Sequence, residues 1–240
     1  LIFLLAALAV FLRKLTPWGG LSGAVVAGCL YVGLGYPGLA LLGAFFILGT
    51  CATSYRKQWK EQTGLRDNHK GRKAVQVWAN GGVAALCGLG AAFARQWQYA
   101  ECMPNQSWEA LLQLLAAASL SAATADTLAS ELGNVWGRRY VNIRTLRADT
   151  RGVDGAISFE GTAAGLGGSL VIAVLYYLLS QPSLTLALVL VAAGTFGNLA
   201  DSWLGATLQR KGTLSNDGVN FLNTLLAAMF AAACAFFINS

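Results

Sequence analysis

FEGTAAGLGGSLVIAVLYYLL (residues 159–179) and LTLALVLVAAGTFGNLADSWL (residues 184–204) are separated only by Ser180-Gln181-Pro182-Ser183. Each run holds 21 residues, and about 20 apolar residues suffice to cross roughly 30 Å of hydrocarbon. Two such runs joined by a four-residue turn read as a pair of antiparallel membrane-spanning helices. Outward from this pair, further apolar runs lie near 1–12, 18–36, 38–54, 76–94, 108–125 and 219–238. The pattern predicts an all-α, polytopic integral membrane protein with seven to eight transmembrane helices, forming a single membrane-embedded domain over 1–240. The first run supplies the eighth span. It opens at Leu1 without a methionine, which predicts a missing or processed N-terminus. No small-residue cleavage site follows it, so Arg13-Lys14 reads as an anchor.

The basic residues orient the chain. Sixteen of the 17 Lys and Arg residues fall in alternate gaps between the runs. Those gaps hold Arg13 and Lys14; then Arg56, Lys57, Lys60, Arg66, Lys70, Arg72 and Lys73; then Arg138, Arg139, Arg144, Arg147 and Arg151; then Arg210 and Lys211. The other gaps hold only Arg95. Cytoplasmic loops retain Lys and Arg, so the basic gaps, including loops 55–75, 133–158 and 205–218, are expected on the cytoplasmic face of a bacterial inner or organelle membrane.

A composition of 55% hydrophobic and 12% charged residues excludes an ordinary soluble domain. The net charge of +6 is dispersed among short loops and follows from topology, which argues against nucleic acid as a partner. It leaves a basic face suited to anionic lipid head groups or phosphate-bearing substrates. Within that face, loop 55–75 with Lys70, Arg72 and Lys73 reads slightly better as a lipid anchor than as part of a site. Cys29, Cys51, Cys87 and Cys234 lie within apolar runs and Cys102 in an outer loop, without CxxC spacing, so they read as packing residues. His69 is the only histidine, and it reads as a solvated loop residue. Paired glycines four apart, Gly133/Gly137 and Gly161/Gly165, read as close-packing surfaces between helices.

Ionisable residues inside spans point to function. They gather in four places, each at the basic end of a span. The fifth run ends in Asp126, Thr127, Ser130 and Glu131. The sixth is entered through Arg151, Asp154, Gly155, Ser158, Glu160 and Thr162. The seventh carries Asn198, Asp201 and Gly205 at helical spacing, and the last begins with Asn216, Asp217, Asn220 and Asn223. Single residues have plainer readings: Asp154 and Asp217 as helix N-caps, Asn220 and Asn223 as interhelical donors, Glu160 as the counterion of an arginine. Four clusters at one membrane level are harder to dismiss. Carboxylates without His or Cys suit Mg²⁺, which bridges substrate phosphates. Arginines neutralise phosphate oxygens, and Gly-rich turns at helix starts offer backbone N–H groups. That is the equipment of phosphoryl transfer. No GxxxxGK[ST] loop occurs, so a P-loop enzyme is excluded.

Three segments carry a family resemblance: Ala125-Asp126-Thr127 through Gly133; Gly152-Val153-Asp154-Gly155 through Glu160-Gly161-Thr162 and Gly165; and Asp201-Ser202-Trp203-Leu204-Gly205 through Gly212, followed by Asn216-Asp217-Gly218-Val219-Asn220. They resemble the domain-of-unknown-function 92 family, which includes transmembrane protein 19 and the plastid phytyl-phosphate kinase of tocopherol synthesis. A fainter likeness reaches the dolichol and phytol kinases through Asp126/Ala129, Gly133/Gly137/Arg138 and Glu160-Gly161-Thr162. The likeness implies CTP as phosphoryl donor. The lysine those kinases often carry before Glu-Gly-Thr is replaced here by Ser158-Phe159, leaving Arg147 or Arg151 to supply the charge.

Together these observations lead to an expected isoprenoid-phosphate kinase, using CTP and Mg²⁺ to convert a prenyl monophosphate to a diphosphate. A phosphate monoester is largely dianionic at pH 7, so such an acceptor needs no general base. Asp126, Glu160 and Asp201 are the expected catalytic and metal-binding carboxylates. Ser130, Glu131, Arg138, Arg139, Arg151, Asp154, Gly155, Ser158, Thr162, Asn198, Asn216, Asp217 and Asn220 are the expected nucleotide- and phosphate-binding residues. Two alternatives remain open: a carrier or flippase for an anionic lipid or metabolite, and a polyprenol kinase or CDP-lipid-forming transferase with the same site.

Overall fold

The computed structural model describes residues 1–65, 71–99 and 107–239. Its helices are α1 (Ile2–Phe11), α2 (Pro17–Leu34), α3 (Tyr36–Ser54), α4 (Lys57–Gln62), α5 (Ala74–Tyr99), α6 (Ser107–Trp136), α7 (Phe159–Ser180), α8 (Leu184–Leu204) and α9 (Asn216–Asn239). A π-helical turn, Gly205–Gln209, prolongs α8, and two short strands, β1 (Val141–Asn142) and β2 (Ala156–Ile157), pair antiparallel between α6 and α7. Seven of the helices are long and apolar enough to cross a membrane, namely α2, α3 and α5–α9. The described part of the first run, ten helical residues, extends about 15 Å. His69, Arg66, Lys70 and Cys102 lie outside the described residues.

The bundle is built around α6. Two thirds of this span is buried, against less than half of every other span, and it packs on α3, α5, α7, α8 and α9. The reason lies in its sequence. Ala116, Ala117, Ala118, Ser119, Ser121, Ala122, Ala123, Thr124 and Ala125 are all buried. A helix with such short side chains lets neighbours approach on every side, and backbone proximity replaces the hydrophobic driving force that lipid does not provide. Ser121 Oγ donates to the Leu190 carbonyl of α8 at 3.1 Å. Three of the expected glycine contacts, at Gly133, Gly161 and Gly165, lie on the α6–α7 seam: a Cβ on Gly133 would stand 2.9 Å from Gly161 Cα, and one on Gly161 would stand 2.9 Å from the Ala129 carbonyl, whereas Gly137, past the end of α6, lies against Tyr140. Gly33 and Gly88 bring α2 against α5 in the same way.

Several boundaries depart from the apolar pattern, most of them at the basic end, while α5 runs on to Tyr99 at the other. Helix α6 continues eleven residues past the expected end at 125. Its polar turns line a cavity there, so hydropathy stops marking the helix. Loop 55–75 contains α4, and loop 205–218 begins as helix. Asp154 and Asp217 are not the caps: Ser158 Oγ accepts from Gly161 N at 3.1 Å to start α7, and Ser215 Oγ accepts from Gly218 N at 3.2 Å to start α9. At the opposite end Arg95 pairs with Glu109 at 2.6 Å and donates to the Gly33 carbonyl at 2.7 Å, tying α5 to α6 and α2.

Candidate active site

The basic ends of the helices enclose a cavity of about 580 Å³, lined from all four basic gaps of the sequence. One wall is acidic. Gly197 of α8 sits where a Cβ would come within 2.6 Å of Ala122 Cβ, so α6 and α8 run close together. One turn nearer the basic end, this proximity brings the carboxyl groups of Asp126 of α6 and Asp201 of α8 into contact. Asn223 of α9, fully buried, donates from Nδ2 to Asp201 Oδ1 at 3.0 Å. Asn198 is buried behind the pair, and Asn216 and Asn220 complete the wall from α9. Asn216 and Asn220 therefore border the cavity, and Asn223 is packed in protein. Two carboxylates in contact repel unless a proton or cation lies between them.

Basic residues line the same cavity. The backbone of Arg72 bridges to the turn before α2, with Arg72 N donating to the Lys14 carbonyl at 2.9 Å and Thr16 N to the Arg72 carbonyl at 3.1 Å. This pins Arg13, Lys14 and Arg72 to one side of the cavity, where Lys57 joins them from α4. The Arg72 guanidinium lies 5.4 Å from the Phe45 ring centroid, and a Cβ on Gly49 would stand 2.7 Å from its Nη2. Lys14 Nζ donates to Ser54 Oγ at 3.2 Å. From α5, Gln76 and Asn80 reach the cavity; Asn80 Nδ2 donates to the Gln76 carbonyl at 2.9 Å while its Oδ1 is buried without a partner. Lys60, 1% exposed, donates to Glu131 Oε2 at 2.6 Å and to the Ala52 carbonyl at 2.9 Å, locking α4 under α6.

The loop between α6 and α7 closes a third side. Asn142 Oδ1 accepts from the Arg144 and Thr145 amides and its Nδ2 donates to Asp149 Oδ2 at 3.0 Å, so the turn after β1 is held by one side chain. Arg210, just past the π-helical turn, pairs with Asp149 and donates from Nε to the Asp154 carbonyl at 2.6 Å. The Arg210 hydrogen bond, with those of Thr150 and Asn142, holds the Asp149 carboxyl below its ordinary range. Burial pushes Asp154 up, opposed by Arg210. Gly155 has φ of 75° and lies against Ala206, where a side chain would be both strained and obstructed.

Eleven of the residues singled out from sequence line this cavity: Asp126, Ser130, Glu131, Asp154, Gly155, Ser158, Thr162, Asn198, Asp201, Asn216 and Asn220. Others do not. Glu160, in the first turn of α7, is not among the residues that line the cavity, although Ser158, Gly161 and Thr162 around it are. Arg138 and Arg139 are exposed beyond the end of α6. Arg151 is held between the Trp59 and Tyr140 rings, at 5.5 and 5.4 Å, and donates to the Gly137 carbonyl at 2.8 Å, so it braces the loop. Asp217 faces a groove on the outside of the bundle. The basic wall was missed in sequence, Arg72 having read as an anchor. Gln76 and Asn80, i and i+4 at the basic end of a span, carry the same signal as Asn216 and Asn220 and would have been found by it. Among the described residues no three Asp, Glu, His or Cys side chains meet closely enough to hold a metal by themselves. The Asp126–Asp201 pair fits Mg²⁺ bound in the usual way, through one or two carboxylates plus water and substrate phosphates.

Comparison with known proteins agrees with this architecture. The family described as "Integral membrane protein DUF92" matches residues 1–228. An uncharacterized membrane protein of Synechocystis is 35% identical over 232 residues, covering 95% of this chain and 86% of its own. An uncharacterized membrane protein of Methanocaldococcus jannaschii is 32% identical, over 95% of this chain and 90% of its own. The chloroplastic protein VTE6 of Arabidopsis thaliana is 31% identical, over 91% of this chain and 66% of its own. No solved structure matches the chain.

Proposed function

The chain belongs to the DUF92 integral membrane family, and from that premise we propose that it is a CTP-dependent isoprenoid-phosphate kinase, which transfers a phosphoryl group to a prenyl monophosphate to give the prenyl diphosphate. One observation carries the reading: a half-buried Asp126–Asp201 pair and the cations Arg13, Lys14, Lys57 and Arg72 line one cavity at the basic end of the bundle. Carboxylates opposite cations suit a metal–nucleotide complex whose phosphates must be neutralised from both sides. The resemblance of the Asp126, Glu160-Gly161-Thr162 and Asp201 segments to the plastid phytyl-phosphate kinase supports the acceptor class. By the positive-inside argument the cavity opens to the cytoplasm or its organelle equivalent.

Asp126 and Asp201 would hold Mg²⁺, which supplies charge neutralisation at the nucleotide phosphates. Asn223 fixes the Asp201 carboxylate by donating to Oδ1. Lys14, Lys57 and Arg72 bind phosphate oxygens of donor and acceptor, and Asn216 and Asn220 orient one of the two. An acceptor phosphate oxygen forms a bond to the γ-phosphorus as the bond to the β,γ-bridging oxygen breaks, releasing CDP. The acceptor oxygen is already ionised at neutral pH, so no proton has to be removed. A carrier would need polar residues at mid-depth with access to both faces. The polar residues that line the cavity lie at one end, which supports the enzyme reading.

The test is CDP release by purified protein supplied with CTP and Mg²⁺, and with phytyl or geranylgeranyl phosphate, the matching alcohols, or no acceptor. CDP formed only with the monophosphates is expected. CDP formed with the alcohols would instead make it a polyprenol kinase. Silence with every acceptor, and with ATP or GTP in place of CTP, would overturn the kinase reading.

A further inference from the structure

On the outer, lipid-facing side of the α5–α9 seam lies a second concavity of about 460 Å³. Val75, Trp78, Gly82 and Leu86 of α5 and Gly218 and Phe221 of α9 form its surface. It shares both helices with the polar cavity: Gln76 and Asn80 look into the cavity from α5 while Val75 and Trp78 look into the groove, and on α9 Asn216 and Asn220 face in while Phe221 faces out. The helix period explains the division, because neighbours one or two apart point to different sides of one helix. We propose that this groove seats the hydrocarbon tail of the phosphate lipid whose head group occupies the cavity. The chain would drape over the first turns of α5 and α9.

Four observations single out this occupant. The groove begins at Val75 and Ser215, one residue from the cavity-lining Gln76 and Asn216, so head and tail sites meet at one membrane level. From Val75 to Leu86 it descends eleven residues, about 16 Å, or half of a roughly 30 Å hydrocarbon core. An apolar tail anchored by a phosphate at the membrane end would occupy that depth. Gly82 gives the groove its floor: a Cβ there would touch Trp78 at 3.6 Å and Phe221 at 3.9 Å, so a small side chain is tolerated and a large one fills the space. Trp78 and Phe221, each about 40% exposed, form its sides. Asp217, expected in the phosphate site, stands on the groove side. There it would repel a phosphate that slid outward, which favours the head group staying in the cavity.

The inference rests on the phosphate-lipid reading above, and the experiment separates the two. Purified protein in detergent is irradiated with a prenyl monophosphate carrying a diazirine at mid-tail, and the labelled peptides are mapped. Label on 75–86 and 215–221, displaced by unlabelled phytyl phosphate and lost in Gly82→Phe, is expected. In parallel, Gly82→Phe should raise KM for geranylgeranyl phosphate about tenfold while leaving turnover of a short-chain monophosphate unchanged. Label on other helices, or equal labelling of the groove by a diazirine phosphatidic acid that phytyl phosphate does not displace, would overturn the groove assignment. Displaceable label in the groove with no turnover of any nucleotide would support the groove and overturn the kinase reading instead.

Discussion

At the scale of single residues, the proposed chemistry rests on the Asp126–Asp201 contact, and its substitution is the sharpest test. Asp126→Asn or Asp201→Asn retains shape and hydrogen bonding while removing a negative charge. Turnover should fall roughly a hundredfold or more, while the detergent-solubilised protein elutes and melts like the wild type. Near-normal turnover would remove the pair from the reaction. The equivalent change at Glu160, which does not line the cavity, should have little effect on turnover. That contrast was not accessible from sequence. Asp126, Glu160 and Asp201 look alike as carboxylates at span ends, and only the rotation of each helix about its axis decides which of them meet.

Among the elements, α4 and the α6–α7 loop are held by charges buried or half-buried in protein, and each makes a prediction. Lys60 is 1% exposed and its partner Glu131 24%. Lys60→Met strands that carboxylate and should cost about 3 kcal/mol, the low end for a broken buried pair because Glu131 keeps some solvent. The double variant Lys60→Met/Glu131→Leu should recover most of the loss, measured by thermal unfolding in detergent. The Asp149–Arg210 pair makes a pH prediction. A carboxyl held lower in the folded protein than in the unfolded chain stabilises the fold above the unfolded value of about 3.9, and that stabilisation disappears as pH falls through the lowered folded value. Amide hydrogen exchange in the β1–β2 hairpin, corrected for intrinsic rates, should therefore stay slow from neutral pH to about 4 and quicken below it. In Asp149→Asn it should be fast already at neutral pH. Neither clamp was legible in the sequence, where Lys60 and Arg210 counted only as topological charges. Their partners lie 71 and 61 residues away.

For the whole molecule, the prediction concerns sidedness. In a variant freed of its native cysteines, Lys211→Cys should react with a membrane-impermeant maleimide only from the cytoplasmic side and Ser183→Cys only from the opposite side. The reverse pattern would invert the topology and place the cavity on the wrong face for a cytoplasmic nucleotide. By itself the sequence determined that the chain is a membrane protein, where its long spans lie, and which ends share a side. These follow from the length of apolar runs and the placement of Lys and Arg, both one-dimensional properties set by bilayer thickness and insertion. It also pointed to the basic end as the place to look for function, because polar residues there are costly unless they face a cavity. Only the tertiary structure decided which helix is central, since the Ala- and Ser-rich run of α6 is no more apolar than its neighbours and owes its place to small side chains. The tertiary structure likewise decided that Arg13, Lys14, Lys57 and Arg72 share one cavity with Asp126 and Asp201. Helix rotation and contacts between segments far apart in the chain set that arrangement, and the hydropathy of a run is nearly blind to both.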